Sequence, residues 1–337
     1  MTKRTDPAVT LADVARRAGT STAVVSYVIN DGPRPVAEAT RQRVLAAAAE
    51  LGYRPNRLAS ALRSRTSGVV GLVLAEASNP YFAELARHLE QALDARGKLT
   101  LIGNAGYAAD RQQDLVDRFL AARADGLVIV SADGDTDVAA DAQQAGVPAV
   151  YVHNLPATAR SPVIAADNHA AVHRAAAHLH AHGHERIAFL AGPRDTGPVD
   201  QRRRAWRAAV PDAELLRSDY SRASAASLVQ HLAGTGALPD ALITATDEQA
   251  IGVLAGAWSA GCPAPEHLAL ISLDGTPDSG YTAPPLTATR QPMADMAEHA
   301  VDRLFNSTAA PPDLTADLVV RRSCGCEDGA STSVPEA

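Results

Sequence analysis

Cysteine, methionine and aromatic residues are all scarce here: three of each of the first two, and 4% aromatic, in 337 positions. So few cysteines exclude a disulfide framework. Cys262 stands alone, and Cys324 and Cys326 form a Cys-Gly-Cys pair that is by itself a weak metal or redox signal. No apolar run reaches the length of a membrane-spanning helix. Behind Lys3 and Arg4 there is no apolar stretch, so no export signal is expected and a cytoplasmic location is. A Gly-x-x-x-x-Gly-Lys-Ser/Thr phosphate loop, a Gly-x-Ser-x-Gly elbow and a His-Glu-x-x-His pair are all missing, which removes the commonest signatures of enzymes built on α/β folds. What is present, 46% hydrophobic and 20% charged residues, is enough to bury cores, and the length predicts two or three compact units.

The formal net charge of -7 conceals an asymmetry. Residues 1–65 carry eleven Lys and Arg against five Asp and Glu, while the remaining 272 carry twenty against thirty-three. A basic segment attached to an acidic bulk points to a polyanion met by the N-terminal part alone.

That segment reads as short helices. Thr10 is an N-cap with Asp13 three residues on, and the helix it starts runs to residue 18, where Gly19 stops it. Ser21 caps a second helix whose Val24, Val25, Val28 and Ile29 pack on Leu11, Val14 and Ala15, which leaves Thr22, Ala23, Ser26 and Tyr27 facing outward. Two short helices crossing at a glycine turn make a helix-turn-helix, whose second member fits the major groove of DNA. A third helix is expected over residues 36–51, with Thr40, Arg41 and Arg43 in reach of phosphates.

"VTLADVARRAGTS", "VSYVIN", "TRQRVLAAAAELGYRPNRLASALRS" and, much later, "PPLTATRQP" together resemble the lactose-repressor (LacI/GalR) family of bacterial transcription regulators, over essentially residues 9–326. The resemblance implies a DNA-facing set of Thr10, Ser21, Thr22, Ala23, Ser26, Tyr27, Asn30, Arg34 and Thr40, with Ala23 and Tyr27 at base-reading positions. Ala37 departs from the serine cap that many relatives carry at the start of the third helix. Residues 54–66 hold a stripe too small for an isolated helix. By resemblance this is a hinge helix, where Asn56, Arg57 and Ala59 meet DNA and Leu62 wedges into the minor groove beside the same segment of a second subunit. Its alternative reading is an ordinary linker.

From residue 67 apolar runs alternate with amphipathic segments. Strands are expected at 69–74, 99–103, 126–130 and 148–152, then at 186–190, 241–245 and 268–273, with helices at 167–182, 201–209 and 248–260 among them. Two such series imply two lobes with parallel, doubly wound sheets, and ligands outside the carboxyl ends of the strands. The fold class is thus an all-α helix-turn-helix head with a hinge, then a two-lobed α/β core, which by resemblance is periplasmic-binding-protein-like. The expected boundaries are 1–53 for the head, 54–66 for the hinge, 67–330 for the core and 331–337 for a tail. Within the core the first lobe takes 67–160 and 291–318, and the second 161–290 and 319–330.

Strand ends supply the ligand candidates. His153, Asp247 and Asp274 each follow an apolar run. By resemblance, Arg202 matches the effector arginine, Tyr220 an aromatic that stacks on a sugar, and Asn79, Pro80, Tyr81 and Phe82 a loop that closes the cleft. Asp247 also suits a helix cap, and Thr246 replaces the asparagine common in the family. His169 and His173 have a zinc-compatible spacing, but His178, His180, His182 and His184 sit where imidazoles suit a helix C-terminus, so no metal or cofactor is assigned. These features predict a non-enzymatic transcription regulator, read as a repressor. It would work as a homodimer on double-stranded operator DNA at the nucleoid, under allosteric control by a small sugar-like effector. An enzyme with a borrowed DNA-binding head and a transporter's solute-binding protein are the rivals; the missing motifs oppose the first, and the basic head and absent export signal the second.

Overall fold

The computed structural model describes residues 9–29, 34–54, 66–131, 136–154, 156, 159–306 and 314–327. It divides into two compact units, Met1–Ser67 and Gly68–Ala337, each treated by itself below.

In the first unit α1 spans Leu11–Ala18. The Thr10 hydroxyl accepts from the Asp13 amide while the Asp13 carboxylate accepts from the Thr10 amide at 3.0 Å, a reciprocal cap that satisfies two otherwise orphaned donors. Gly19 closes the helix at φ 63°, a left-handed conformation that glycine adopts without a Cβ clash. The second helix, α2, is Thr22–Ile29, with the Ser21 hydroxyl accepting from the Val24 amide at 3.3 Å. Helix α3 is Glu38–Glu50 and starts two residues later than expected. Ala37 gives it no side-chain cap, and Val36 is drawn onto the core instead. Val14, Ala15, Ala18, Val25, Val28, Val44, Ala47 and Ala48 form that core, with Val24 and Ile29 only at its margin. Arg17 and Glu50 join α1 to α3 at 2.6 Å, but both are more than half exposed, so the pair adds little stability.

The second unit opens with β1 (Val69–Leu74), α4 (Pro80–Asp94), β2 (Leu99–Asn104), α5 (Ala109–Ala121), β3 (Gly126–Ile129), α6 (Val138–Gln144), β4 (Ala149–Val152) and β5 (Val163–Ile164). These strands make one parallel sheet in the order β2-β1-β3-β4-β5. The chain continues through α7 (Asn168–Ala181), β6 (Ile187–Ala191), α8 (Gly197–Ala209), β7 (Leu215–Arg217), α9 (Arg222–Thr235), β8 (Ala241–Thr244), α10 (Asp247–Ser259) and β9 (Ala269–Ser272). After a 3-10 turn come β10 (Thr287–Arg290), α11 (Met293–Phe305), β11 (Asp317–Val319) and a last 3-10 turn at Arg322–Cys324. The second sheet runs β11-β10-β9-β8-β6-β7, parallel except for the β10/β11 pair.

Each sheet therefore organises one lobe. Val70, Leu72, Val128 and Val150 of the first sheet pack against Leu85, Leu89 and Leu93 of α4 and against Met296, Ala300 and Val301 of α11. In the second lobe Phe189, Ile243 and Ile271 meet Val172, Leu179 and Trp206, and Leu190, Leu242 and Leu270 meet Val229 and Val253. Fully buried parallel strands of this kind read as unbroken apolar runs.

Three observations correct the expected boundaries. Strand β5 pairs with β4, so the first crossing between lobes follows residue 164 rather than residue 160. Strand β11 pairs with β10, which places residues 317 and 318 in the second lobe. Helix α8 begins at Gly197, four residues before the expected 201, because Pro198 stands in the first turn, where a missing amide hydrogen costs nothing.

Helices α9 and α10 approach more closely than side chains allow. A Cβ on Gly252 would lie 2.2 Å from the Arg222 carbonyl oxygen, whereas one on Gly234 would meet nothing within 4 Å. On helix propensity alone, Gly→Ala stabilises a helix interior by roughly 0.5–1 kcal/mol. Gly252→Ala is expected to reverse that sign and lower the thermal midpoint by an overpacking penalty of roughly 1–3 kcal/mol, while Gly234→Ala raises the midpoint slightly. Calorimetry of the two variants checks the contrast.

Candidate functional site

The outward face of the head is assembled from α2. Thr22 and Ala23 are exposed, Ser26 and Tyr27 half-exposed, and the Arg34 guanidinium lies 5.8 Å from the centre of the Tyr27 ring. Thr10 and Ser21 occupy the capping positions described above, and Thr40 accepts a hydrogen bond from Arg43 at 3.3 Å on the first turns of α3. Asn30, Asn56, Arg57, Ala59 and Leu62 lie outside the described residues.

In the core the carboxyl ends of the two sheets face each other around a cavity of about 60 Å³. Asn79, Tyr81, Phe82, His153, Arg202, Tyr220 and Asp274 all line it. A larger concavity of about 830 Å³ opens elsewhere on the second lobe, lined by Trp258, Tyr281 and Arg222 among others. It contains none of those strand-end residues, and convergence of polar groups rather than size marks the site.

Arg202, on α8, is 1% exposed. Its Nε donates to the Asn168 Oδ1 at 2.8 Å, and its Nη1 donates to Asp274 at 3.1 Å and to the Ala245 carbonyl. Its Nη2 is buried and meets no acceptor among the described residues. A buried guanidinium with one unsatisfied donor is costly unless something accepts from it.

Asp274, at the end of β9, accepts from Arg202 and from the Asp247 amide at 3.2 Å. Burial pushes its carboxyl up to about 6 against the pull of Arg202, and the neighbouring Asp247 charge adds to the rise.

His153 follows β4 with φ 68°, a left-handed conformation uncommon outside glycine. The residue keeps some exposure, yet its ring is packed 4.7 Å from that of Tyr81 and 5.7 Å from that of Phe82. Burial, with the Arg202 charge, lowers its pKa to about 3, so the imidazole is neutral near pH 7. The tautomer follows from its neighbours. Gln291 Nε2 donates to the Leu273 carbonyl, which turns Oε1 toward the Tyr81 hydroxyl; that hydroxyl donates its single proton to Oε1 at 2.7 Å. His153 Nδ1, 2.8 Å from the same oxygen, must then donate to it, leaving Nε2 as an acceptor. Burial raises the Tyr81 phenol well above its ordinary range, which keeps that proton in place.

Aromatic rings wall the cavity: Phe82 lies 6.3 Å from Tyr107, and Tyr107 lies 6.2 Å from Tyr220 of the opposite lobe. Asn79 caps α4 through the Tyr81 amide at 3.0 Å, so residues 79–82 form a capped first helical turn rather than the expected loop. Pro80 stands at its start, where proline fits best.

One expected contact is overturned. Asp247 is buried, and its carboxylate turns away from the cavity to accept from Ser272, the Gly275 amide, and the amide and hydroxyl of Thr276. Thr246 is the residue that lines the cavity and caps α10, accepting from the Gln249 amide at 3.2 Å. Asp247, one position on, is the first residue of that helix. Ser131, Asn154, Tyr107, Ala75 and Pro198 also line the cavity and were not singled out from the sequence.

Comparison with known proteins follows the same division. Residues 10–56 match the model of bacterial regulatory proteins of the lacI family, and residues 67–316 match that of periplasmic binding proteins and the sugar binding domain of the LacI family. The chain belongs to the LacI family. Among its relatives are catabolite control protein A of Priestia megaterium, 31% identical over 87% of this chain and 90% of that protein, and the transcriptional regulator MalR of Streptomyces coelicolor, 33% identical over 95% and 97%. The ribose operon repressor of Escherichia coli is 30% identical over 90% and 94%. The lac repressor dimer, solved with operator and an anti-inducer, superposes with a TM-score of 0.83 at 27% identity, covering 94% of this chain and 99% of that one. A complex of the regulator CelR with cellobiose gives 0.65 at 28% identity over the same shares. This LacI-family chain is thus a transcription regulator with a DNA-binding head and a core of the sugar-binding type.

Titration of Asp274 has a consequence for stability. Its folded pKa lies above the roughly 3.9 of an unfolded aspartate, so its contribution is fully present below about pH 4 and is lost as pH rises through about 6. The difference in unfolding free energy between wild type and Asp274→Asn should therefore move against the wild type by a few kcal/mol, on the order of two pKa units, between pH 4 and 7. Urea unfolding of both proteins across that range measures it, and parallel profiles would exclude the assignment.

Proposed function

We propose that this protein is a homodimeric repressor that holds a two-part operator through its heads and responds to a neutral, hydroxyl-rich ligand, a sugar or close relative, bound between the lobes of its core. The observation that carries the ligand reading is the buried Arg202 Nη2 with no acceptor among the described residues, beside the carboxylate of Asp274 and the Nε2 acceptor of His153. Each sugar hydroxyl donates one hydrogen bond and accepts others, so two neighbouring hydroxyls can satisfy all three groups. A phosphate ester only accepts, and it would meet the Asp274 carboxylate and a neutral imidazole acceptor, so sugar phosphates are disfavoured. Tyr107, Phe82 and Tyr220 supply flat apolar faces of the kind that suit the C–H side of a sugar ring.

The cavity of about 60 Å³ is far below the several hundred Å³ of ordinary ligand pockets, so admission requires the lobes to part. Gln291 sits where the chain recrosses between lobes, holding Tyr81 of the first and the Leu273 carbonyl of the second. A ligand that binds one lobe angle better than another shifts the balance between them by its differential affinity. In the dimer that shift would reach the two hinge segments at residues 54–66, whose Asn56, Arg57, Ala59 and wedge residue Leu62 complete the proposed DNA-facing set with Thr10, Ser21, Thr22, Ala23, Ser26, Tyr27, Asn30, Arg34 and Thr40 of the head.

Dimerisation is supported by two exposed apolar features. Trp258 and Tyr281 are 74% and 90% exposed, and the edge strand β2 presents Leu99, Leu101 and Ile102 to solvent. The lac repressor relative was solved as a dimer on operator, which accords with this reading. Among the described residues no helix is long and apolar enough to cross a membrane, and we place the protein in the cytoplasm, at the nucleoid when bound to DNA, without enzymatic activity.

Two experiments test the proposal. Calorimetric screening of neutral sugars and their phosphates should find a neutral ligand that alters operator affinity, and Arg202→Lys should cost at least tenfold in that ligand's affinity while leaving operator binding intact; turnover of the sugar, or a preference for phosphates, would overturn it. In a salt series on specific DNA the affinity should fall steeply, and Leu62→Ala should reduce affinity and bend angle together. A bend unchanged in that variant would remove the hinge from the account.

A further inference from the structure

The histidine run and the Cys-Gly-Cys pair, each a weak signal in the sequence, meet in space. His178 and His182 are one helical turn apart at the end of α7, with ring centres 4.8 Å apart. Cys324 closes the last 3-10 turn, and Gly325 at φ 94° bends the chain so that Cys326 returns to the same helix. The His178 Nε2 lies 3.3 Å from the Cys324 Sγ and 3.6 Å from the Cys326 Sγ, and the His182 Nε2 lies 3.2 Å from the Cys326 Sγ. The potential donor atoms of His178, Cys324 and Cys326 all fall within 4.8 Å of one another.

Zinc bound tetrahedrally, with bonds of about 2.3 Å to sulfur and about 2.0–2.1 Å to nitrogen, sets its ligand atoms roughly 3.3–3.8 Å apart. The two His178 contacts, at 3.3 and 3.6 Å, fall in that range, and the His182 contact at 3.2 Å lies just below it. Two thiolates and two neutral imidazoles also neutralise a divalent cation, so a complex at this half-buried place carries no net charge. Cys324 is 1% exposed and accepts from the Thr287 hydroxyl at 3.1 Å, which fixes the sulfur from outside the donor set.

We propose that His178, His182, Cys324 and Cys326 form a Cys2His2 site for a soft divalent cation, Zn2+ by its donor set, which clamps the segment after β11 onto α7 in the second lobe. The site is remote in role from the cleft: Asn168, which accepts from Arg202, is the first residue of α7, and the metal ligands stand at the opposite end.

The full chain, stripped with chelator and kept under a phosphine reductant, is titrated with Co2+. One equivalent should give the ligand-field bands of tetrahedral cobalt with a thiolate-to-cobalt charge-transfer band, and Zn2+ should abolish both. Cys326→Ser and His182→Ala, at the more exposed ligands, should each lose the charge-transfer band or the tetrahedral spectrum, and Cys326→Ser should lose the rise in thermal midpoint that Zn2+ gives the wild type. His169→Ala/His173→Ala and Cys262→Ser should leave the spectrum intact. Absence of a charge-transfer band, its persistence in Cys326→Ser, or its loss in the His169/His173 variant would overturn the proposal.

Discussion

One buried guanidinium organises the core. Arg202 is surrounded by Asn168 at the start of α7, the Ala245 carbonyl after β8 and Asp274 after β9, so it gathers three separate elements of the second lobe around one charge. Taking such a pair out of water costs several kcal/mol per ion unless the geometry is good. Replacing such a pair by well-packed apolar side chains is often neutral or stabilising. Retention of the pair, with one donor left over, makes sense for recognition rather than for stability. The neighbouring Asp247 serves the same end at one remove, because its carboxylate ties Ser272 and Thr276 while its amide steadies Asp274.

The first lobe answers that charge with neutral groups. Tyr81, His153 and Gln291 share protons in a chain whose direction is set by the Leu273 carbonyl, so the acceptor offered to the cavity by one lobe is fixed by a carbonyl of the other. Parting of the lobes, as proposed above, would stretch that chain. The left-handed backbone at His153 adds strain that is tolerated because Ile164 of β5 accepts from its amide at 2.8 Å.

How much of this is legible in the sequence depends on which physical signal carries each part. Unbroken apolar strands, the Thr10 and Asp13 cap and the glycine stop at Gly19 are local and need no tertiary context, and they appear where the sequence places them. Short or edge elements such as β5, β7 and β11 have two or three residues each and too little pattern to be read. The strand-end rule points to His153 and Asp274, which line the cavity, and to Asp247, which does not, because Thr246 and Asp247 are both good helix-start residues and a one-residue shift decides which faces the cavity. The same rule applied to β3 would have found Ser131, which follows Val130, whereas Tyr107 lies in a turn after β2 that carries no periodicity. His182 and Cys324 are 142 positions apart, so only the fold reveals that they meet.

The charge division closes the argument at the level of the whole chain. An excess of six positive charges before residue 66 and thirteen negative charges after it means that a DNA duplex is attracted to the head and repelled by the core. Both effects fade beyond about 10 Å at 0.1 M salt, so the core's repulsion does not oppose binding so much as orient it. Helix α2 itself carries no charged side chain, so the attraction belongs to the head as a whole, while the exposed Thr22 and Ala23 and the half-exposed Tyr27 are the outward groups of that helix.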